Sequence, residues 1–254
     1  MSIRRVFLWL EMLLFPPACR YCGQRLSIFK EPLPQPLCPD CVALWARESK
    51  KVCPTCGKAY SLCLCAPKAL QDAGCDTLVK RAVYHARRKT VVSRMLLHIK
   101  DVNDGDAVRF IADDLVLPTF RALAQHSIGA EHTVITYVPR RKVTARRTGH
   151  DQAKLLSKTL AKRLGIGHVK AIHRTSDGRE QKRLTLAERQ DNASCHFALS
   201  PRVDLTGRTV LLLDDICTTG ASLASCTELL YQGGAERVVA VCVAVTQRDE
   251  SMDR

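Results

Sequence analysis

The sequence predicts an α/β fold, a mostly parallel sheet flanked by helices, with a small cysteine-rich domain in front of it. From about residue 76 onward, short β-branched or apolar runs alternate with longer segments of helical periodicity, the order that builds parallel sheets. Before that point, eight of the 13 cysteines are gathered in ordered pairs between positions 19 and 65. We therefore predict a cysteine-rich domain over 18–70 and an α/β domain over 76–247.

The strands are predicted from short runs that suit burial on both faces of a sheet. Residues 77–85 have alternating β-branched character, and residues 209–213 form a continuous apolar run. The predicted strands are 77–85, 133–138, 169–172, 209–213 and 237–245.

The helices between these strands are predicted from apolar residues that recur at helical spacing. Pro118 is expected to kink or end the second helix, because its ring clashes with the preceding turn. The predicted helices are 91–100, 107–125, 151–164 and 221–231. In such folds, ligands bind beyond the carboxyl ends of the strands.

Composition excludes several classes of protein. The chain has 254 residues, 46% of them hydrophobic, which rules out a disordered tail, a collagen or a disulfide miniprotein. The net charge of +14 is concentrated between residues 76 and 200, which hold 24 basic and 12 acidic side chains. Anionic partners, whether phosphates, nucleic acid or lipid head groups, are expected to meet this part of the chain, and a solvated basic surface is the alternative.

Residues 1–17 are predicted to form a short amphipathic helix. Arg4 and Arg5 precede an apolar run that superficially looks like a secretion signal, but Glu11 interrupts it and Pro16 stands where a cleavage site needs small residues. We expect this helix to dock on the body of the protein or on a partner, with adhesion to a membrane as the alternative. No stretch reaches the roughly 18 apolar residues of a membrane span, and the chain is expected to be cytoplasmic.

Eight cysteines have the spacing of two four-thiolate metal sites. The first set is C-x2-C, then 15 residues, then C-x2-C; the second is C-x2-C, six residues, then C-x-C. Gly23 and Gly57 directly follow the first pair of each set, where a tight turn needs a permissive backbone. Such spacing is typical of structural zinc in a zinc ribbon. The predicted ligands are Cys19, Cys22, Cys38 and Cys41, and then Cys53, Cys56, Cys63 and Cys65.

Two other uses of these cysteines are disfavoured. A disulfide scaffold requires an oxidising compartment, and a catalytic zinc requires an open coordination position that four thiolates do not leave. Because the last pair of the second set is one residue short, the sequence leaves open whether the double ribbon binds one or two zinc ions. The segment is rich in proline and has little core of its own, so the metal is expected to fold it.

One segment, residues 210–222, carries the clearest chemical signal. Four apolar residues predict a buried strand, and Asp214 and Asp215 are expected at its carboxyl end. The following loop runs into a helix, whose N-terminal N–H groups would hold a phosphate dianion. Adjacent carboxylates suit sugar hydroxyls, directly or through Mg²⁺, so the segment predicts a ribose 5-phosphate site, with a plain helix cap as the alternative. The predicted phosphate-binding residues are Cys217, Thr218, Thr219, Gly220, Ala221 and Ser222.

At these residues the chain resembles the signature for 5-phosphoribosyl-1-pyrophosphate (PRPP) of type I phosphoribosyltransferases. More narrowly, nearly its full length resembles the ComF/GntX family of competence-associated proteins, which join N-terminal zinc ribbons to such a domain. The matching motifs are residues 14–19, the paired cysteines, Tyr84, Lys100 with Gly105-Asp106, Val138-Pro139, 146–152, Gln181 to Asn192 and the PRPP loop.

The resemblance implies a role for each part of the site. Asp214 and Asp215 would contact the ribose and its metal, and residues 217–222 would cradle the 5-phosphate. A basic turn after Pro139, made of Arg140, Arg141 and Lys142, would face the pyrophosphate, whose departure cations and Mg²⁺ would assist. A polar loop at 173–181 could close over the substrate, with Arg189 and Asn192 anchoring it.

Three positions depart from the family patterns. His150 and Asp151 replace the usual Phe and Asn, and Thr218 stands where purine phosphoribosyltransferases often carry an Asp, so a purine acceptor is not supported. His150 and His173 are expected to play supporting roles, and we assign no general base.

The function that the sequence predicts is transfer of a phosphoribosyl group from Mg²⁺-PRPP to an unknown acceptor, in a protein implicated by the resemblance in DNA uptake. The alternatives are a module that senses PRPP or handles single-stranded DNA without catalysis, and a ribbon that only assembles proteins of the DNA-uptake machinery. Aromatic residues are sparse around the basic residues, so a stacking surface for single-stranded DNA is not visible in the sequence.

Overall fold

The structure is a computed structural model that describes residues 16–26, 35–86, 89–175 and 196–246. The predicted N-terminal helix over 1–17 falls almost wholly outside these ranges, as do most of the predicted closing loop and its anchors Arg189 and Asn192. In the described residues, no helix is both long enough and apolar enough to span a bilayer.

Six of the described strands form one parallel sheet, as the sequence predicts. Its order is β1-β8-β7-β3-β4, and β2 pairs with β8 next to β1. Two further strands, β5 and β6, form a separate antiparallel pair. The strands are β1 (Leu78–Val79), β2 (Ala82–Tyr84), β3 (Thr133–Tyr137), β4 (Gly167–His168), β5 (Ile172–Arg174), β6 (Phe197–Leu199), β7 (Thr209–Cys217) and β8 (Arg237–Thr246).

Helices cover both faces of the sheet. Side chains on β7 alternate between two cores: Leu211 and Leu213 pack on the side of α3, α4 and α6, whereas Val210 and Leu212 pack on the side of α2 and α7. Both cores are apolar, which is why β7 is a continuous apolar run rather than an alternating one. The helices are α1 (Pro39–Lys50), α2 (Lys68–Asp72), α3 (Val91–Asp101), α4 (Gly105–Gln125), α5 (Lys142–Thr148), α6 (Gln152–Leu164) and α7 (Ala221–Gln232).

Most of the predicted elements are confirmed, and three predictions need correction. Pro118 lies inside α4 without ending it, and the predicted strand over 77–85 is interrupted between β1 and β2 while keeping one register on β8. The strand predicted over 169–172 is wrong. The chain leaves the sheet after β4, because the N–H of Ala171 is taken by the Thr136 hydroxyl at 3.2 Å rather than by a strand carbonyl.

The cysteine-rich region is fastened to the α/β region through a buried cluster. Trp45 on α1 donates from Nε1 to a carboxylate oxygen of Asp114 on α4 at 2.8 Å. Arg81, from the interruption between β1 and β2, pairs with the same carboxylate and lies over the Trp45 ring, 5.9 Å from its centroid. Cys19, Cys38 and Cys41 share the apolar core of α3 and α4, so the two regions have one continuous interior.

Candidate functional site

The aspartate pair lies within β7 rather than beyond its end. The strand continues four residues past the predicted end at 213, because β8 continues beside it and pairs with it as far as Cys217 opposite Val245. The backbone N–H of Asp215 donates to Asp214 Oδ1 at 2.8 Å, and that of Ile216 donates to Asp215 Oδ1 at 2.9 Å. Both carboxyl groups are thereby held by the strand that carries them.

Asp215 is held in its ionised form by two neighbours. Lys100 Nζ and Gln152 Nε2 each lie 3.0 Å from its Oδ2. Burial opposes ionisation, but the positive charge of Lys100 and the hydrogen bonds from Gln152 and Asp214 outweigh it and lower the pKa of Asp215. Burial, followed by the charge of Asp215, raises the pKa of Asp214 well above its usual range. The two adjacent carboxyl groups therefore differ in acidity, and Asp215 ionises more readily than Asp214.

Lys100 and Gln152 reach the pair from two helices on the same side of the sheet. Lys100 lies in the last turn of α3, and Gln152 is the first residue of α6. Gln152 Oε1 is buried and has no hydrogen-bond partner among the described residues. This free acceptor, beside an anionic carboxylate, fits a ligand that brings a hydroxyl or a metal-bound water to the site.

Residues 217–222 form a tight turn at the start of α7. Gly220 has φ +84°, and the N–H of Ala221 donates to Thr219 Oγ1 at 3.4 Å. Thr218, Thr219 and Ser222 are exposed, so the helix N-terminus is open to a ligand. Burial raises the pKa of the Cys217 thiol to about 11, and its side chain packs in the core under α7, so Cys217 offers a ligand only its backbone.

Of the predicted basic turn after Pro139, Arg140 and Arg141 lie outside any helix or strand, and a short helix, α5, begins at Lys142. Gly149 at φ +74° ends it, and the backbone N–H of Arg140 donates to Asp151 Oδ2 at 3.0 Å. Arg140 donates from its guanidinium to the backbone oxygen of Lys100 at 3.1 Å, and Arg141 is exposed. These contacts place the two arginines beside the aspartate pair.

One cavity of about 270 Å³ joins much of the predicted site. Its lining includes Arg140, Arg141, Asp214, Asp215 and Ser222, together with Arg174, which the sequence placed in the closing loop. Arg174 donates from Nε to the backbone oxygen of Pro139 at 3.0 Å and stacks on Phe197. Cys217 and Thr218 line a neighbouring cavity of about 200 Å³ instead, and Thr219, Gly220 and Ala221 line neither.

Sequence reasoning missed both partners of Asp215 and one residue that lines the cavity. Lys100 and Gln152 entered only as parts of family motifs, and Arg174 only as part of a loop. No local pattern marks them, because Lys100 and Gln152 reach Asp215 through the packing of α3 and α6, and Arg174 reaches the cavity from β5. His150, by contrast, is buried between the backbone oxygens of Ile99 and Thr148, 2.8 Å from each, and supports the chain next to the site.

The eight predicted metal ligands form two clusters, in each of which the four sulfurs lie within 4.8 Å of one another. Cys22 and Cys38 are 3.7 Å apart between sulfurs, and Cys56 and Cys63 are 3.4 Å apart. Tetrahedral zinc with bonds of about 2.3 Å would set these distances near ~3.8 Å, so both clusters could hold structural zinc.

The two clusters are built on the same turn. Gly23 N–H donates to the carbonyl of Cys19, and Gly57 N–H to that of Cys53, both at 2.9 Å; the glycines have φ +78° and +70°. Although burial opposes it, the backbone N–H groups of each turn lower the pKa of Cys19 and of Cys53 to about 6. The first cysteine of each set is therefore prepared to bind metal as a thiolate.

Residues 146–254 match the protein family described as "Phosphoribosyl transferase domain". The chain is also 27% identical to competence protein F of Haemophilus influenzae, over 87% of this chain and 93% of that protein. Residues 146–254 are thus similar to phosphoribosyl transferase domains, and most of the chain is similar to competence protein F. It is 25% identical to the DNA utilization protein YhgH of Escherichia coli O157:H7, over 92% of this chain and all of that protein.

Among solved structures, the allosteric regulatory enzyme of purine biosynthesis is similar over 54% of this chain, with 19% identity and a TM-score of 0.35. The chain spans about a quarter of that enzyme's length, 25%. The matched phosphoribosyl transferase domain contains the aspartate pair and the loop that follows it. Strands β1, β2 and β3, which belong to the same sheet, precede the matched residues.

Proposed function

We propose that the phosphoribosyl transferase domain binds PRPP with Mg²⁺ and transfers its phosphoribosyl group to an acceptor that the sequence does not identify. The observation that carries this proposal is the cavity, whose lining gathers the carboxyl groups of Asp214 and Asp215, three arginines, and Ser222 from the first turn of α7. A phosphosugar that bears a pyrophosphate needs these three kinds of group in one place.

Each group has a proposed role. The ribose hydroxyls would contact Asp214 and Asp215, directly or through Mg²⁺, and the Gln152 Oε1 acceptor would take a hydrogen bond from a hydroxyl or from water. The 5-phosphate would lie against the N–H groups of residues 217–222. Arg140, Arg141 and Lys142 would face the pyrophosphate. Magnesium, when bound, would neutralise part of the charge of this leaving group.

The reaction that we propose is a substitution at C1 of the ribose. The bond from C1 to the pyrophosphate oxygen breaks, the pyrophosphate leaves with the electron pair, and a nucleophile of the acceptor forms the new bond to C1. Cations around the pyrophosphate stabilise the charge that develops on it, and the carboxyl groups below the ring hold the sugar in place.

The test is Mg²⁺-dependent PRPP binding, measured by isothermal titration calorimetry on the wild type and on Asp215→Asn. We expect about tenfold or more weaker binding for the variant, because a charged hydrogen-bond acceptor is lost. Asp113→Asn is the matched control, since Asp113 is exposed and pairs with Arg163 away from the cavity. Wild-type protein that binds no PRPP would refute the proposal, and pyrophosphate release on addition of cell extract would separate a transferase from a PRPP sensor.

Handling of single-stranded DNA is a second candidate function, and the exposed face of α6 favours it. Lys154, Lys158 and Lys162 are exposed at four-residue intervals, a rise of about 6 Å per step, and α6 contains no acidic residue. None of the three forms an ion pair with a carboxylate in the described part of the chain. One relative is named a DNA utilization protein, and another a competence protein.

The salt dependence of DNA binding tests this candidate. Replacing the three lysines by glutamine should weaken binding of a single-stranded oligonucleotide and lower the slope of log affinity against log salt by about two. The control replaces Lys50, Lys51 and Lys58 of the cysteine-rich region. Equal effects of the two triple variants would contradict a role for α6. Partners from the DNA-uptake machinery remain part of the proposal. A cytoplasmic location is also part of it, because eight thiols that bind metal suit a reducing compartment.

A further inference from the structure

Lys80 is a buried cation at the interruption between β1 and β2. The residue is 3% exposed, and its Nζ donates to the backbone oxygens of Cys65 at 2.5 Å and of Leu78 at 3.4 Å. Cys65 is the last cysteine of the second cluster. The ammonium group therefore lies against the metal-ligand segment and not in solvent.

No carboxylate balances this charge within the described residues. The ion pairs found there involve other lysines and arginines, and Lys80 is in none of them. A buried ammonium without an opposite charge is strongly unfavourable, so an anion must lie close by. The nearest source is the second cysteine cluster, because Lys80 donates to Cys65 and lines one cavity together with Cys53 and Cys65.

We propose that Lys80 is the built-in counter-ion of the second four-cysteine site and that this site braces the phosphate-binding turn. Four thiolates around one divalent ion carry a net charge of −2, and a buried lysine offsets half of it. The same charge explains why a lysine is tolerated in this apolar surrounding.

The first cluster has no equivalent cation among the described residues. Arg20 lies within its sequence, but Arg20 Nε is paired with Asp104 at 2.7 Å. The second cluster also differs in spacing, because the pair Cys63-x-Cys65 is one residue shorter than the other pairs.

The second cluster is tied to the turn before α7 by the chain that follows Cys65. A Cβ added at Gly220 would lie 2.7 Å from Pro67 Cγ, so Pro67 packs directly against that turn. Leu70 on α2 is fully buried in the same core as Leu223 on α7. Lys80 and Cys65 also line the 200 Å³ cavity that reaches Cys217 and Thr218. Loss of the metal would therefore release the segment that supports the phosphate-binding turn.

Zinc release to a chromogenic chelator tests the counter-ion. Wild-type protein should hold two ions, and Lys80→Met should release one of them about 10- to 100-fold faster, as is usual when a group that supports metal ligands is lost. Lys80→Arg should stay within about threefold of the wild type, since it keeps the charge. Lys58→Met, an exposed lysine of the same ribbon, is the matched control. Release of both ions from Lys80→Met at the wild-type rate, or binding of one ion only by the wild type, would overturn the proposal.

A labelling experiment on wild-type protein covers the case in which Lys80→Met does not fold. Acetic anhydride, followed by peptide mass spectrometry, should leave Lys80 unmodified in the zinc-loaded protein and modify it after chelation, whereas exposed Lys58 should react in both states. Equal protection of Lys80 with and without zinc would contradict its role as counter-ion.

The supporting role of the second metal site for the phosphate-binding turn rests on the proposed function, and it can be measured separately. Binding of ribose 5-phosphate, whose phosphate would lie against residues 217–222, should weaken about tenfold in Lys80→Met and in chelated wild type, and should recover in the wild type when zinc is restored. Unchanged binding would overturn the supporting role of the second metal site. If zinc-loaded wild-type protein bound neither ribose 5-phosphate nor PRPP, the proposed function would fail, while zinc release and labelling would still decide the role of Lys80.

Discussion

Asp104 is the residue at which one carboxylate serves several elements at once. Its Oδ1 accepts the N–H groups of Asp106 and Ala107 at the start of α4, each at 3.0 Å. Its Oδ2 lies 2.7 Å from Arg20 Nε in the first cysteine cluster and 2.8 Å from His98 Nε2 on α3. Burial opposes ionisation, but these four donors outweigh it and lower the pKa of Asp104 to about 2.

Asp104→Asn should therefore destabilise the protein in a pH-dependent way. A depressed pKa stabilises the folded state above the unfolded pKa near ~4, and this stability is lost as the pH falls toward ~2. We expect the free energy of unfolding in urea to drop by about 2 kcal/mol at pH 7, and the gap from the wild type to shrink by about half at pH 3. Asp106→Asn is the control, because Asp106 is exposed; a pH-independent gap for Asp104→Asn would contradict the assignment.

Gly220 is the residue at which backbone freedom and lack of a side chain are both needed. Gly220→Ala should lower the free energy of unfolding by about 1–2 kcal/mol through its left-handed conformation and by a further ~1–3 kcal/mol through overlap with Pro67. It should also weaken PRPP binding, since the turn must shift. Gly207→Ala has a similar φ, +66°, and no atom within 4 Å of the added Cβ, so it isolates the backbone cost. Equal destabilisation by the two changes would show that Pro67 does not press on the turn.

At the scale of elements, Asp151 links the cap of α6 to the position of Arg140. Its side chain accepts from the N–H of Lys154 at 3.3 Å and from the N–H of Arg140 at 3.0 Å. Gln152, which holds Asp215, directly follows it. The end of α6 that faces the site is therefore set by a single carboxylate.

Asp151→Ala should cost about 1 kcal/mol of stability through the lost cap and should weaken PRPP binding through misplacement of Arg140 and Gln152. Asp151→Ser separates the two effects, because serine caps a helix but is too short to reach Arg140. We expect thermal melts of the serine variant to approach the wild type, while its PRPP affinity stays reduced. Recovery of both properties in the serine variant would contradict the second role.

Elements with strong local signals can be predicted from the sequence, and those set by neighbours cannot. Helices α3, α6 and α7 follow from apolar periodicity, and the paired cysteines follow from spacing alone. The extension of β7 through Asp214 and Asp215 depends on β8 lying beside it, and acidic residues carry no strand signal. Five cations fall within the eight residues 140–147, a pattern that also suits a solvated basic loop. The structure instead has the helix α5 over most of this segment, and Gly149 ends it.

The same distinction holds for the candidate site. Residues 214–222 lie together in sequence, so their chemistry can be inferred from the order of their side chains alone. The partners of Asp215 lie far from it in sequence and arrive on α3 and α6, which only tertiary packing brings together. The sequence is therefore enough to propose a type of ligand, but it does not reveal the groups that set the charge state of the pair.

At the scale of the whole molecule, the first cysteine cluster shares an apolar core with helices of the α/β region, and Cys53 and Cys63 of the second pack with Val83 of β2. Cys19, Cys38, Cys41 and Trp45 share a core with α3 and α4, and Arg81 joins α1 to the edge of the sheet. If both clusters hold zinc, the thiolates reduce the effective net charge from +14 to about +10, and the remaining excess lies in the middle of the chain, around the cavity and α6. The metal sites thus affect both the stability of the interior and the balance of surface charge.

Removal of zinc should therefore destabilise the entire protein and not only the cysteine-rich region. A structural zinc ion stabilises a fold by several kcal/mol, and for a chain of this size we expect the melting temperature to fall by about 10 °C or more on chelation. Circular dichroism of helices and fluorescence of tryptophan should report one shared transition before and after chelation, because the interior is continuous. Restoring zinc should restore the original melt, which controls for damage by the chelator. If the helices still melted at their original temperature after chelation, the sheet and its helices would be stable without the metal sites. The shared core would then contribute little to their stability.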